Sequence, residues 1–119
     1  DVGAVAARSE DAEVEARGRV VCGTCDALPF TDGSFDLIIG LDVIHNLDRV
    51  GVIRSLREFE RVGRGCSYVR VDSYRTPEER AIFVDWVLTA KFHDYPEGWE
   101  AVFAEAGFRG DWTWTIIAA

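Results

Sequence analysis

Apolar residues in this chain fall into short runs separated by polar, glycine-bearing turns, and their spacing changes from run to run. Arg19–Cys22 (RVVC), bounded by Gly18 and Gly23, predicts a short strand. Phe35–Gly40 (FDLIIG) is continuously apolar rather than alternating, as in a parallel strand covered on both faces. Cys66–Val71 (CSYVRV) predicts a third strand, with Asp72 and Ser73 at its carboxyl end. Asp111–Ile117 predicts a last strand near a sheet edge. Between them the period becomes helical. Val52, Ile53, Leu56, Phe59 or Glu60, and then Val62 form one stripe, with Asp48 as N-cap and Gly63 and Gly65 as stops. Thr76-Pro77-Glu78-Glu79 is a capping box with proline at the first helical position. It predicts a helix to about Phe92, with Ile82, Phe83, Trp86, Val87 and Ala90 on one face. Pro96 opens another helix, with Trp99, Val102, Phe103 and Ala106 inward, and Gly107 ends it. A weak stripe of Ala4, Val5, Ala7 and Val14 predicts a helix over Gly3–Asp11. Thr24–Ser34 reads as a crossover loop with a turn at Asp32-Gly33.

Strands alternating with helices argue for a doubly wound α/β sheet of the Rossmann-like kind, mostly parallel, in one domain spanning residues 1–119. In open α/β sheets ligands bind outside the carboxyl ends of strands. Asp42, His45 and Asn46 follow one such end, and Asp72 to Arg75 follow another.

The net charge of −8 argues against a nucleic-acid partner, because such binders present basic faces. No apolar run approaches the roughly 20 residues that cross a bilayer, and no amino-terminal segment has a signal-peptide layout. A cytoplasmic protein handling small molecules is expected, with its oligomeric state open. The chain has no Met and begins at Asp1, which suggests a carboxyl-terminal piece of a longer protein. Cys22, Cys25 and Cys66 are an odd count, against a disulfide framework. Cys22-Gly-Thr-Cys25 lacks the strand-then-helix setting of a redox dithiol and has no second ligand pair for zinc. Buried, unreactive cysteines and no metal site are expected.

The stretch Gly23 to Leu47 carries more. It reads Gly23, Thr24, Cys25, Asp26, Ala27, Leu28, Pro29, Phe30, then Asp32, Ser34, Phe35, Asp36, then Asp42-Val43-Ile44-His45-Asn46-Leu47, followed by LREFERVGRG. From Arg19 onward the chain resembles the class I S-adenosylmethionine-dependent methyltransferases, whose middle region reads G-D-A-x-x-L-P-F-x-D-x-S-F-D before a short L-H-H-L-like segment. The resemblance implies transfer of a methyl group from S-adenosylmethionine to a small-molecule acceptor. It places Thr24, Cys25 and Asp26 on the adenine side, with Thr24 where the family has an acid. Gly40, Leu41 and Asp42 fall along the cofactor. Gly40 permits a close approach because it lacks a Cβ. The family's glycine-rich loop has no counterpart here, so the sheet is expected to be incomplete and the chain inactive alone. The alternative is a degenerate methyltransferase-like domain that binds a partner without catalysis.

Three readings of His45 stay open: a general base, a cofactor or substrate contact, or a packing residue. Imidazoles titrate near neutral pH, which suits the first, but methyl transfer by alignment needs no base. Asp42 reads as a substrate contact, an orienter of His45, or an exposed loop acid. Tyr74 and Arg75 are substrate candidates by position. An aromatic lid formed by Trp86, Lys91, His93 and Tyr95 competes with plain helix packing.

Overall fold

The computed structural model describes residues 3–7 and 19–117. Its parallel sheet is built from β3 (Ile38–Leu41), β4 (Ser67–Asp72) and β5 (Asp111–Thr115), in the order β3-β4-β5. Helix α1 (Arg49–Val62) connects β3 to β4, and α2 (Pro77–Trp86) and α3 (Pro96–Ala106) connect β4 to β5. A separate antiparallel pair joins β1 (Gly3–Ala7) to β2 (Arg19–Gly23). This is an incomplete Rossmann-like α/β fold, as the alternation predicts. Among the described residues no helix is long and apolar enough to cross a membrane.

Helices α1 and α2 each start at a side-chain cap, and α1 also buries its apolar stripe. In α1 the Asp48 carboxylate accepts the Gly51 N–H at 2.8 Å, and Val52, Ile53, Leu56, Phe59 and Val62 are all buried. In α2 Thr76 Oγ1 accepts the Glu79 N–H, while the Glu79 carboxylate accepts the Arg75 N–H at 2.8 Å. The core lies between the helices and the sheet face carrying Val69 and Val71, where α1 meets α3. Trp99, Val102 and Phe103 fill it from α3. Arg61 ties the crossover to α1, donating to the carbonyls of Leu28 and Phe30 and to the carboxylates of Glu58 and Asp32.

Four expectations are corrected. The helix foreseen over Gly3–Asp11 is strand β1 over Gly3–Ala7, because β2 offers it a full set of backbone partners that a weak alanine stripe cannot match; residues 8–11 lie outside the described residues. The strand foreseen over Phe35–Gly40 is Ile38–Leu41, and it is covered on one side only: Ile39 and Leu41 are exposed while Gly40 is buried. The second helix stops at Trp86, not Phe92, and the N–H groups of Lys91 and Phe92 donate to the His45 carbonyl rather than to a helical turn. Cys22 and Cys66 are exposed rather than buried, and Cys25 is half-buried, its thiol pushed up by burial and by Asp26.

Candidate active site

One cavity of about 390 Å³ opens at the carboxyl ends of β3, β4 and β5. Asp42, His45 and Asp72 form its polar floor, Thr115 and Thr89 flank it, and Trp86, Val87 and Leu88 make an apolar wall. Its size suits a small molecule, and an apolar wall with a few convergent polar groups is the usual composition of such a site.

The floor is held from below. Asp42 sits just past β3 with φ at 56°, left-handed backbone that costs about 1 kcal/mol for a non-glycine residue. Its N–H donates to the Arg70 carbonyl at 2.8 Å. Its Oδ2 accepts from Arg70 Nη2 at 2.6 Å and Nε at 3.1 Å, and Thr115 Oγ1 lies 3.4 Å from Oδ1. His45 lies in a 3-10 turn over Ile44–Asn46, with its side chain only 6% exposed. Its Nδ1 is buried and has no hydrogen-bond partner among the described residues. Its Nε2 stands 3.5 Å from Asp72 Oδ2. That gap exceeds a hydrogen bond. The acid that faces His45 most closely is therefore Asp72, at the end of β4, and Asp42 is engaged with Arg70.

The rim is fixed by backbone. After α2 the chain leaves helical geometry, and the N–H groups of Lys91 and Phe92 both donate to the His45 carbonyl, at 2.9 and 3.2 Å. Thr89 Oγ1 donates to Asn46 Oδ1 at 2.8 Å. These bonds hold Val87–Thr89 over the cavity and explain why the helix ends early.

Other sequence candidates lie elsewhere. Tyr74 is 2% exposed, and its hydroxyl pairs with His93 Nδ1 at 2.7 Å among Phe83 and Tyr95. Burial pushes the Tyr74 phenol up and the His93 imidazole down. Arg75 is exposed and pairs with Glu79 at 2.7 Å. Neither Tyr74 nor Arg75 lines the cavity. Thr24 closes a small turn onto Ala27, with Cys25 and Asp26 inside it, and the same segment is pinned to α1 through Leu28. A Cβ at Gly40 would stand 3.1 Å from the Phe59 ring, so packing against α1 accounts for that glycine. Sequence reasoning missed Thr89 and Thr115, which come from segments distant in the chain.

Burial pushes the Asp72 carboxyl above the usual range, against His45; Asp42 adds to the rise and Arg70 opposes it. The folded chain thus binds this proton more tightly than the unfolded chain. The penalty is absent below the ordinary carboxyl pKa of about 3.9 and grows as pH rises toward and past the folded value. Asp72→Asn should therefore stabilise the protein at pH 7 by roughly 1 kcal/mol, allowing for solvent at the cavity mouth, and the gain should vanish by about pH 3.5. Urea unfolding at both pH values checks this; an equal gain at both contradicts it.

A family model described as a methyltransferase domain matches residues 2–71, more than half of the chain. The chain belongs to this class I S-adenosylmethionine-dependent methyltransferase family. The match ends one residue before Asp72, so this family's strand, crossover and His45 turn lie within it. The rim and β5 lie beyond it. No curated protein and no solved structure matches the chain.

The family's cofactor fits these residues only in part. Leu41 and Asp42 are accessible at the end of β3, as its flank requires, but Gly40 is closed by Phe59. The described residues contain no glycine-rich turn between a strand and a helix that would hold its methionine end.

Proposed function

We propose that this chain supplies the acceptor side of methyl transfer from S-adenosylmethionine to a small molecule, and does not turn over alone. The cavity carries the proposal: it lies at the strand ends where α/β sheets bind ligands, with an apolar wall opposite a polar floor. The cofactor, when bound, supplies an electrophilic methyl group. The chain's own part is to seat the acceptor against Trp86, Val87 and Leu88 and turn its nucleophilic atom to the floor. His45 Nε2 takes the proton that the nucleophile releases, and the Asp72 carboxylate offsets the charge left on the ring. Proximity carries the rest. Work in the cytoplasm on a small acceptor, without nucleic acid or membrane, belongs to the same proposal and fits the net charge of −8.

Two titrations test it. Calorimetry with S-adenosylhomocysteine should show binding no tighter than about millimolar, a free energy near −4 kcal/mol. Micromolar binding would overturn the view that the cofactor site is incomplete. Titration with a panel of small apolar amines and alcohols should shift NMR signals of His45, Trp86 and Thr89; shifts confined to other surfaces count against an acceptor cavity.

The exposed Leu37, Ile39 and Leu41, beside an edge of β3 that has no partner strand among the described residues, favour a second reading, a non-catalytic interaction domain of the same family. Tight partner binding with no ligand response in the cavity would support that reading over the first.

A further inference from the structure

We propose that Asp42, His45 and Asp72 form a site for a divalent first-row transition-metal ion. One donor atom from each lies within 4.8 Å of the others. Two carboxylates and an imidazole suit manganese, iron or zinc better than magnesium or calcium, which favour all-oxygen ligands. Sequence spacing hides the site, because its third member comes from the end of the next strand.

Two observations point to a cation beyond the grouping itself. First, the His45 side chain is only 6% exposed, and its Nδ1 is buried with no hydrogen-bond partner among the described residues, while Nε2 faces Asp72. Second, the Asp72 side chain is only 9% exposed, and among the described residues its carboxylate is met by the His45 ring, 3.5 Å away. Buried polar groups are normally satisfied, and a buried carboxylate is normally paired. Here two acceptor-capable atoms face each other across 3.5 Å. That separation is too long for a hydrogen bond. It matches the spacing of two ligands on one metal, since donors about 2.1 Å from a tetrahedral ion stand about 3.4 Å apart.

Asp42 completes the set through Oδ1. Its Oδ2 is held by Arg70, while Oδ1 has only the Thr115 hydroxyl at 3.4 Å. The Asp42 side chain is the most exposed of the three, at 35%, so it can rotate inward. The Arg70 guanidinium cancels one of the two carboxylate charges, which favours an exchangeable ion over one held permanently. The fourth position opens into the cavity, where an acceptor's oxygen or nitrogen would meet the ion.

The ion would share the floor of the proposed acceptor cavity, and with it bound His45 Nε2 is a ligand and not a base, but the test of the site needs no methyl transfer. Mn²⁺ is the probe, because the exposed thiols of Cys22 and Cys66 would compete for zinc. Electron paramagnetic resonance of the chain titrated with Mn²⁺ should show one ion bound in the ten-to-hundred-micromolar range. Asp72→Asn should weaken binding at least tenfold, as should His45→Gln. Paramagnetic broadening in the wild-type chain should centre on His45, Thr115 and the Trp86 indole, a readout that holds even where a variant misfolds. No binding below millimolar Mn²⁺, broadening centred elsewhere, or affinity unchanged in a folded Asp72→Asn overturns the proposal.

Discussion

Trp99→Ala should lower stability by about 3–5 kcal/mol, a large share of the roughly 5–15 kcal/mol that holds a typical domain together. Trp99 is fully buried, edge-on to Phe92 at 4.7 Å and stacked on Phe103 at 5.8 Å. Removing the indole opens a cavity between α3 and the segment that carries the rim. It also strips the Asp72 carbonyl of its donor, since indole Nε1 bonds that oxygen at 3.1 Å. For a chain of this size the loss corresponds to a melting temperature lower by roughly 15–30 °C. Trp99→Phe keeps most of the apolar area and loses the hydrogen bond, so it should cost only about 1–2 kcal/mol. Thermal unfolding by circular dichroism separates the two. If alanine and phenylalanine cost the same, packing is not what Trp99 contributes.

Gly110→Ala should cost about 3 kcal/mol, at the upper end for an added methyl in a packed site. A Cβ there would collide with the Ser67 carbonyl and the Phe108 ring, and the carbonyl belongs to the backbone of β4. The start of β5 would have to move off its parallel register with Tyr68 and Val69. Gly107 is the control. It ends α3 in left-handed geometry, φ 71°, and a Cβ at that position would meet nothing within 4 Å. Gly107→Ala should therefore cost only about 1 kcal/mol, from backbone strain alone. Chemical denaturation of both variants gives the comparison; equal losses would mean that the Gly110 collision relaxes freely.

Helix α1 is legible from sequence because cap, stripe and stop agree over Asp48–Gly63, and each is a local signal. Strand β1 is not, because its identity depends on pairing with β2 across an intervening stretch, from Ala7 opposite Arg19 out to Gly3 opposite Gly23. Intrinsic preference in such a segment is a weak guide. The candidate site divides the same way. Asp42 and His45 are readable because they follow a strand end. The rim is not, since Val87–Thr89 is placed by the bond of Thr89 to Asn46 and by those of Lys91 and Phe92 to the His45 carbonyl, all distant in the chain. Tyr74 and Arg75 also follow a strand end, yet neighbouring aromatics and Glu79 take them away from the cavity.

The double use of His45 has a consequence for how this pocket can change. Its ring faces the floor, but the rim hangs from its backbone carbonyl, a group that any amino acid supplies. In the proposed function, chemistry and doorway thus fall to different atoms of one residue. A substitution at position 45 can therefore change the side chain at the floor while the backbone bonds that hold the entrance stay in place.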